Sequence, residues 1–318
     1  MKYAISSLSL VLASMMLTGC ETSTATENAE LSSVFAEIWN SGQSPDEPEF
    51  HVQKIDEDTL ALRQSLRTTF EAPFLYLIFG DERALLIDTG VEGVDLRTVV
   101  ESELTAWATA NETTIPELVV MHSHGHSDHK GGDSQFSDRP DTTVISLEAE
   151  AIETFFEIEN WPDQNGSIDL GNRVLEIIPT PGHTDAHVMV YDASTQILFS
   201  GDTVYPGRLY FQCGKAQTFQ ASIDRLVDYA AGHDIKWVLG AHIEMKNSPG
   251  QTFRQDRKSR KGEHVLELPS SILVDIQNAL QQQDGQYTVQ AFDSFMLFPH
   301  PANPAGMSPP NWCLTPDA

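Results

Sequence analysis

The chain has 318 residues, enough for one large domain or two small ones, and its 40% hydrophobic content is that of a folded protein with a substantial core. Its 46 acidic against 19 basic residues give a formal charge of −27, which repels phosphate backbones and sets nucleic acid aside as a partner. One dense basic run, Arg254 to Lys261 interrupted by Asp256, reads either as a solvated face or as a rim that meets an anionic substrate.

In chain order, Lys2 precedes an apolar stretch from Ala4 to Leu17, too short to be a comfortable membrane span. It ends in Leu17-Thr18-Gly19-Cys20, which resembles the bacterial lipobox. That resemblance implies a lipoprotein signal peptide over residues 1–20, lipidation at Cys20, and a membrane contact made through the N-terminal anchor alone. Glu21 is not the aspartate that resembles an inner-membrane retention signal. The expected location is therefore the cell envelope, at the outer membrane facing the periplasm in a Gram-negative cell. Residues 21–48, rich in Thr, Ser, Glu and Pro, are expected to form a flexible tether, and residues 49–318 the folded domain. Setting Cys20 aside leaves Cys213 and Cys313, whose pairing an oxidising compartment permits and the sequence leaves open.

The apolar runs 74–79 and 84–87 flank Gly80-Asp81-Glu82-Arg83 and predict a β-hairpin. Helical spacing of Val94, Leu96, Val99, Val100, Leu104 and Trp107 predicts a helix over 92–109. A buried strand, 118–121, then delivers the chain to His122. Further strands are expected at 143–147, across 167–178, in a hairpin over 188–200 and at 236–239. Helices are expected at 148–158 and 217–231, and the tail should carry a helix at 270–283 and a strand at 287–298. This order suggests an α/β fold with two β-sheets sandwiched between helical layers.

The chemistry concentrates at strand ends. The run Ser123-His124-Gly125-His126-Ser127-Asp128-His129 places four donors within six residues directly after a buried strand. Imidazole and carboxylate suit a borderline divalent ion such as zinc. Pro181-Gly182-His183, Gly201-Asp202-Thr203 and Gly240-Ala241-His242 each bring one more donor from the end of another strand.

The order HxHxDH, then His, Asp and His, preceded by Asp88-Thr89-Gly90, resembles the metallo-β-lactamase superfamily over about Phe50 to His242. The resemblance implies a four-layer αββα sandwich holding two zinc ions, with iron or manganese as other divalent ions for such a site. It implies His124, His126 and His183 on the first ion, Asp128, His129 and His242 on the second, and Asp202 between them. Asp88 would orient the site without touching metal, and His187, four after His183, would support it. Ala186 stands where the family's PGHTxGH pattern has a glycine, which should crowd that turn. His122 is expected to be structural, and His51, His233, His264 and His300 to be ordinary surface or packing residues.

The implied reaction is hydrolysis of a small molecule by a hydroxide shared between two metals, with Asp128 orienting the nucleophile. Aspartate at position 202, where β-lactam-cleaving members carry Cys or Ser, resembles the ester-, lactone- and thioester-cleaving branches. Tyr205 lies where a phenol assists the opening ester in acyl-homoserine lactonases. The segment 205–211 is expected to be a substrate-facing loop in which Arg208 meets a carboxylate or else merely packs. β-Lactam hydrolysis is the alternative, followed by a mononuclear iron persulfide dioxygenase or a catalytically silent metal-binding protein. The exact substrate and the oligomeric state are not legible.

Overall fold

A computed structural model of the chain describes Met1 and residues 33–300. Two hairpins come first, β1 (Phe50–Asp56) with β2 (Thr59–Gln64) and β3 (Phe74–Phe79) with β4 (Arg83–Ile87). They are followed by α1 (Leu96–Ala110), β5 (Glu117–Met121), the single turn α2 (Ser127–Lys130), β6 (Thr142–Val144) and α3 (Ala149–Phe155). Next are β7 (Gly166–Asp169), β8 (Val174–Pro179), β9 (Val188–Asp192), β10 (Ile197–Gly201) and β11 (Arg208–Gln212). The remainder is α4 (Ala216–Gly232), β12 (Trp237–Gly240), β13 (Glu267–Pro269), α5 (Ile272–Gln281), β14 (Gln290–Ala291) and β15 (Met296–His300).

Strand alternation decides the layering. Along β3, Phe74, Tyr76 and Ile78 join one apolar cluster while Leu75, Leu77 and Phe79 join another, as the two faces of a pleated strand require. The first sheet, in order β1-β2-β3-β4-β5-β6, presents Tyr76, Ile78, Leu85 and Val119 to the second, β13-β12-β10-β9-β8-β7, which answers with Ile177, Val190 and Phe199. Outside the first sheet, α1 lays down Leu96, Val100 and Leu104; outside the second, α4 and α5 lay down Phe219, Ile223, Leu273 and Ile276. Each such side chain taken from water contributes about 1.5–3 kcal/mol. Helix, sheet, sheet and helix make the expected αββα sandwich. The two sheets are tied at one end, where the Tyr76 hydroxyl donates to the Gly240 carbonyl at 2.6 Å and Phe74 N–H to Ala241 O at 2.8 Å.

Three expectations are corrected. Residues 33–48 are no free tether, because Phe35 and Trp39 are buried in the inter-sheet core and Trp39 packs edge-on against Phe74. The segment 205–211 is not simply a loop. Its second half is β11, which pairs in parallel with β15, and β14 adds to form a third small sheet. The tail strand expected at 287–298 is broken into β14 and β15, which turn back on each other. Residues 1–20 beyond Met1, the stretch 21–32 and Cys313 lie outside the described residues. Cys213 is disulfide-bonded, and the two other cysteines fall outside those residues. No described helix is long and apolar enough to cross a membrane.

Candidate metal centre

Strand direction gathers the donors. β4 and β5 run parallel, as do β10 and β12, while β9 lies antiparallel between β8 and β10. The residues just past the C-terminal ends of these strands are Asp88, His122 to His129, His183, Asp202 and His242, and all reach one end of the sandwich. Gly201 is required at its turn: its φ is +51°, and a Cβ there would lie 2.7 Å from Ser123 Cβ and 2.8 Å from His187 Nε2.

Two clusters result. In one, His126 Nδ1 lies 2.9 Å from His124 Nε2 and 3.1 Å from His183 Nε2. In the other, His242 Nε2 lies 3.4 Å from Asp128 Oδ2, and His129 Nε2 lies 3.6 Å from the same oxygen. Asp202 stands between them. Its Oδ2 is 3.9 Å from His124 Nε2 and 3.7 Å from His183 Nε2, and its Oδ1 is 3.5 Å from His129 Nε2 and 3.2 Å from His242 Nε2. Four-coordinate zinc with bonds of 2.0–2.1 Å sets its ligand atoms about 3.3 Å apart, the spacing seen here. His129 Nε2 and Asp202 Oδ1 are moreover buried without a hydrogen-bond partner, as donors aimed at a cation would be. The donor sets fit a divalent ion at each cluster.

The outward nitrogens fix the tautomers. His183 Nδ1 donates to the Tyr210 carbonyl at 2.8 Å, His242 Nδ1 to the Glu71 carbonyl at 3.0 Å and His129 Nδ1 to Asp88 Oδ2 at 2.8 Å, so in each ring Nε2 is the atom turned to the cluster, a lone-pair donor once it is deprotonated. Asp88 does this from a left-handed backbone, φ 67°, and also accepts from Ser123 N–H at 2.7 Å. His187 is fully buried; its Nε2 accepts from Asp202 N–H at 3.2 Å, and its Nδ1 meets Thr180 Oγ1 at 2.8 Å. It holds the backbone of the shared carboxylate. Ala186 packs on the inner core, and without a left-handed φ the position does not demand glycine. His122 binds Asp133 at 2.8 Å and braces the motif loop.

Electrostatics separate the clusters. Burial, with His129 and His183 adding to it, holds His124 well below the ordinary imidazole range, and burial takes His183 down to about 4. Burial opposes charge on His242 as well, but Asp202 and Asp128 overcome it and hold His242 at about 10. Asp88 and Asp202 likewise raise His129 against its burial. Asp128, buried yet hydrogen-bonded to His242 and close to His129, sits at about 2.

A model of the metallo-beta-lactamase superfamily matches residues 68–230, more than half of the chain. The chain belongs to the metallo-β-lactamase superfamily. It is a metal-dependent hydrolase. An acyl-coenzyme A thioesterase MBLAC2 from Bos taurus is 27% identical over 202 residues, 53% of this chain and 72% of that protein. A hydroxyacylglutathione hydrolase from Chelativorans sp. (strain BNC1) is 31% identical over 116 residues, 36% of this chain and 44% of that protein. A solved metallo-beta-lactamase from Pontibacter korlensis superposes with a TM-score of 0.49 at 21% identity, covering 74% of this chain and 100% of its own.

In this superfamily member a cavity of about 410 Å³ opens on both clusters. Tyr205 borders it, but its hydroxyl is committed elsewhere: it donates to the Arg208 carbonyl, with Glu244 at 3.4 Å, and burial pushes the phenol well above its usual range. A phenol serving the substrate, as the sequence suggested, would have to exchange the Arg208 carbonyl for that partner. Arg208 is spent on packing, its guanidinium held by Glu244, Thr252 and the Phe253 carbonyl. His300, expected to be ordinary, lines the cavity together with Phe70, Tyr210, Gln255 and Phe298. Glu71 and Tyr210 went unrecognised because they act on the histidines through main-chain carbonyls, which leave no mark in a sequence.

Proposed function

We propose that the protein is a binuclear zinc hydrolase of carboxylic thioesters, esters or lactones, with thioesters foremost. The observation that carries the binuclear reading is Asp202, whose two oxygens face one donor cluster each. Zinc bound there would supply Lewis acidity and bring a water's pKa toward neutrality. His124, His126 and His183 would hold one ion, and Asp128, His129 and His242 the other. Asp128, ionised at any physiological pH, has a second carboxylate edge with which to accept a proton-bearing nucleophile's hydrogen bond and aim it. Phe70, Tyr210 and Phe298 give the cavity an apolar wall suited to an acyl chain. The thioester preference draws support from the two relatives, one named a thioesterase and the other for a glutathione thioester.

The test is elemental analysis of zinc-replete protein with a panel of thioesters, esters, lactones and β-lactams. Two zinc ions per chain and turnover of an acyl thioester are expected. At most one ion per chain would sink the binuclear reading, and β-lactam hydrolysis without any of the other activities would sink the substrate reading. The lipobox supports a second part of the proposal, export with a lipid anchor at Cys20. Cys20→Ser should abolish acyl labelling and release the protein from membranes; unchanged labelling and fractionation would count against it.

A further inference from the structure

We infer that a basic trough leading out of the metal centre receives a phosphate group carried by the substrate, so that the substrates are phosphate-bearing thioesters or esters. This rests on the hydrolase reading above and names the part of the molecule the metal cluster does not touch. The cavity over the clusters shares Tyr210, Gln255 and Phe298 with a neighbouring depression of about 370 Å³. That depression in turn shares Arg254 and Asp256 with an open basin of about 720 Å³ bordered by Arg67, Arg257 and Lys258. Reacting centre, aromatic waist and cationic basin are thus contiguous.

The charge there runs against the whole chain. A molecule of net charge −27 spends five of its 19 basic residues on the eight positions 254–261. A merely solvated face would set such cations against some of the 46 acids. Asp256 does pair with Arg254 at 2.9 Å, but among the described residues Arg67, Arg257 and Lys258 make no ion pair, and all three are exposed. Clustered, unneutralised cations create a local positive potential that concentrates anions.

The loop is also held in shape. Arg260 turns inward, buried, and donates to the carbonyls of Ile243 and Phe70, the latter on the cavity rim. Arg63 grips Glu263 through two bonds of 2.7 Å. Gly42, at φ +74°, lies so close to the Lys258 carbonyl that a Cβ would stand 2.0 Å from it. Buried anchors on both sides leave the outward cations presented on a fixed support. A phosphate monoester suits two guanidinium groups and an ammonium better than a carboxylate, because its higher charge and its three oxygens can engage several of them together. Either a phosphorylated thiol carrier or a phosphatidate headgroup, in which the phosphate is a monoester, would supply that chemistry.

The experiment uses the full chain, zinc-loaded, in neutral detergent. Butyryl-coenzyme A is compared with S-butyryl pantetheine, which lacks the phosphates, and lysophosphatidate below its micellar concentration is compared with a headgroup-free monoglyceride. The expected result is a preference of about 10-fold or more in kcat/KM for one phosphate-bearing partner, expressed in KM and weakened by salt. The pair that shows it identifies the source. Arg257→Glu/Lys258→Glu should bring the ratio to near one, whereas Lys236→Glu, at the far end of β12 from His242, should keep it. Equal rates within both pairs, or a preference that survives in the double variant, would overturn the inference. If no ester or thioester is turned over, the substrate reading of the hydrolase has failed separately, and calorimetric titration with inorganic pyrophosphate decides the basin. Binding lost in the double variant upholds it; no binding to the wild type, or binding that the double variant retains, overturns it. Adhesion to anionic vesicles that disappears in the double variant with the kinetic ratio unmoved would also overturn it, marking the loop as a membrane-facing surface instead.

Discussion

The two donor clusters share a carboxylate and one end of the sandwich, yet their protons are arranged oppositely. In the three-imidazole cluster the rings oppose one another's charge and burial keeps them neutral, with lone pairs ready for a cation. In the other, Asp128, Asp202 and Asp88 hold His129 and His242 as the protonated forms until something more positive takes the proton's place. The difference lies in carboxylates and not in histidines. The first cluster is prepared for metal by the fold, and the second must exchange protons for it.

The comparison breaks most completely at the shared residue. Asp202→Ala should lower kcat/KM on the order of 10³-fold, given the weight of charge placed at a reacting centre, and should reduce metal content at both clusters, read by elemental analysis. Asp128→Ala should be selective: metal falls from two ions to one, activity falls roughly 10²-fold, and the three-imidazole cluster stays filled. Loss of both ions would show that the clusters do not fill independently. Asp88→Asn keeps a hydrogen-bond acceptor for His129 but removes the charge that favours it. It should weaken metal binding about 10- to 100-fold at the carboxylate cluster, measured by competition with a chromophoric chelator.

Acidity sharpens the same contrast in the metal-free protein. His183, depressed to about 4, contributes stability that is present above an ordinary imidazole pKa and lost as pH falls through 4. His242, raised to about 10, contributes stability that is present below that ordinary value and lost as pH rises through 10. Chelated protein should therefore melt lower both near pH 4 and near pH 10 than near neutrality. Metal uptake at the carboxylate cluster should release protons and strengthen with rising pH, as calorimetry in buffers of different ionisation heat would reveal. An apo melting temperature indifferent to pH between 7 and 10 would contradict the raised His242. The smallest effect is expected at Tyr205→Phe, which loses one hydrogen bond to the Arg208 carbonyl. Stability should drop by about 1 kcal/mol and turnover on an alkoxide-leaving ester should change by roughly 2-fold or less. A much larger fall in kcat would return the phenol to the chemistry.

What could be read in advance follows from where the information sits. The donors were legible because each is a side chain of unmistakable chemistry just beyond an apolar strand, and strand ends are where a sheet can gather distant residues. The layering was legible from period-two alternation in strands such as β3 and from helical spacing in α1. The wall of the cavity was not. Phe70, Tyr210, Phe298 and His300 carry no motif, and their convergence depends on a parallel pairing between β11 and β15, strands more than eighty residues apart. The place of Phe35 and Trp39 was hidden for a different reason: a polar, proline-containing stretch outweighs two aromatic anchors in any compositional reading.

That pairing of β11 with β15 has a consequence for how such an enzyme diversifies. β15 is joined to its neighbours by main-chain hydrogen bonds, which are indifferent to side-chain identity, and its residues alternate between buried and half-buried positions. Tyr210 and Phe298 stand opposite each other in that ladder and both face the cavity, with His300 two residues further along. Substitutions at 298 and 300 can therefore redraw the outline of the chamber while the main-chain ladder and the seven side chains of the two donor clusters keep their identity. Selection can retune what is admitted without renegotiating how it is cut, and directed evolution for altered substrate range has its shortest path through those two positions.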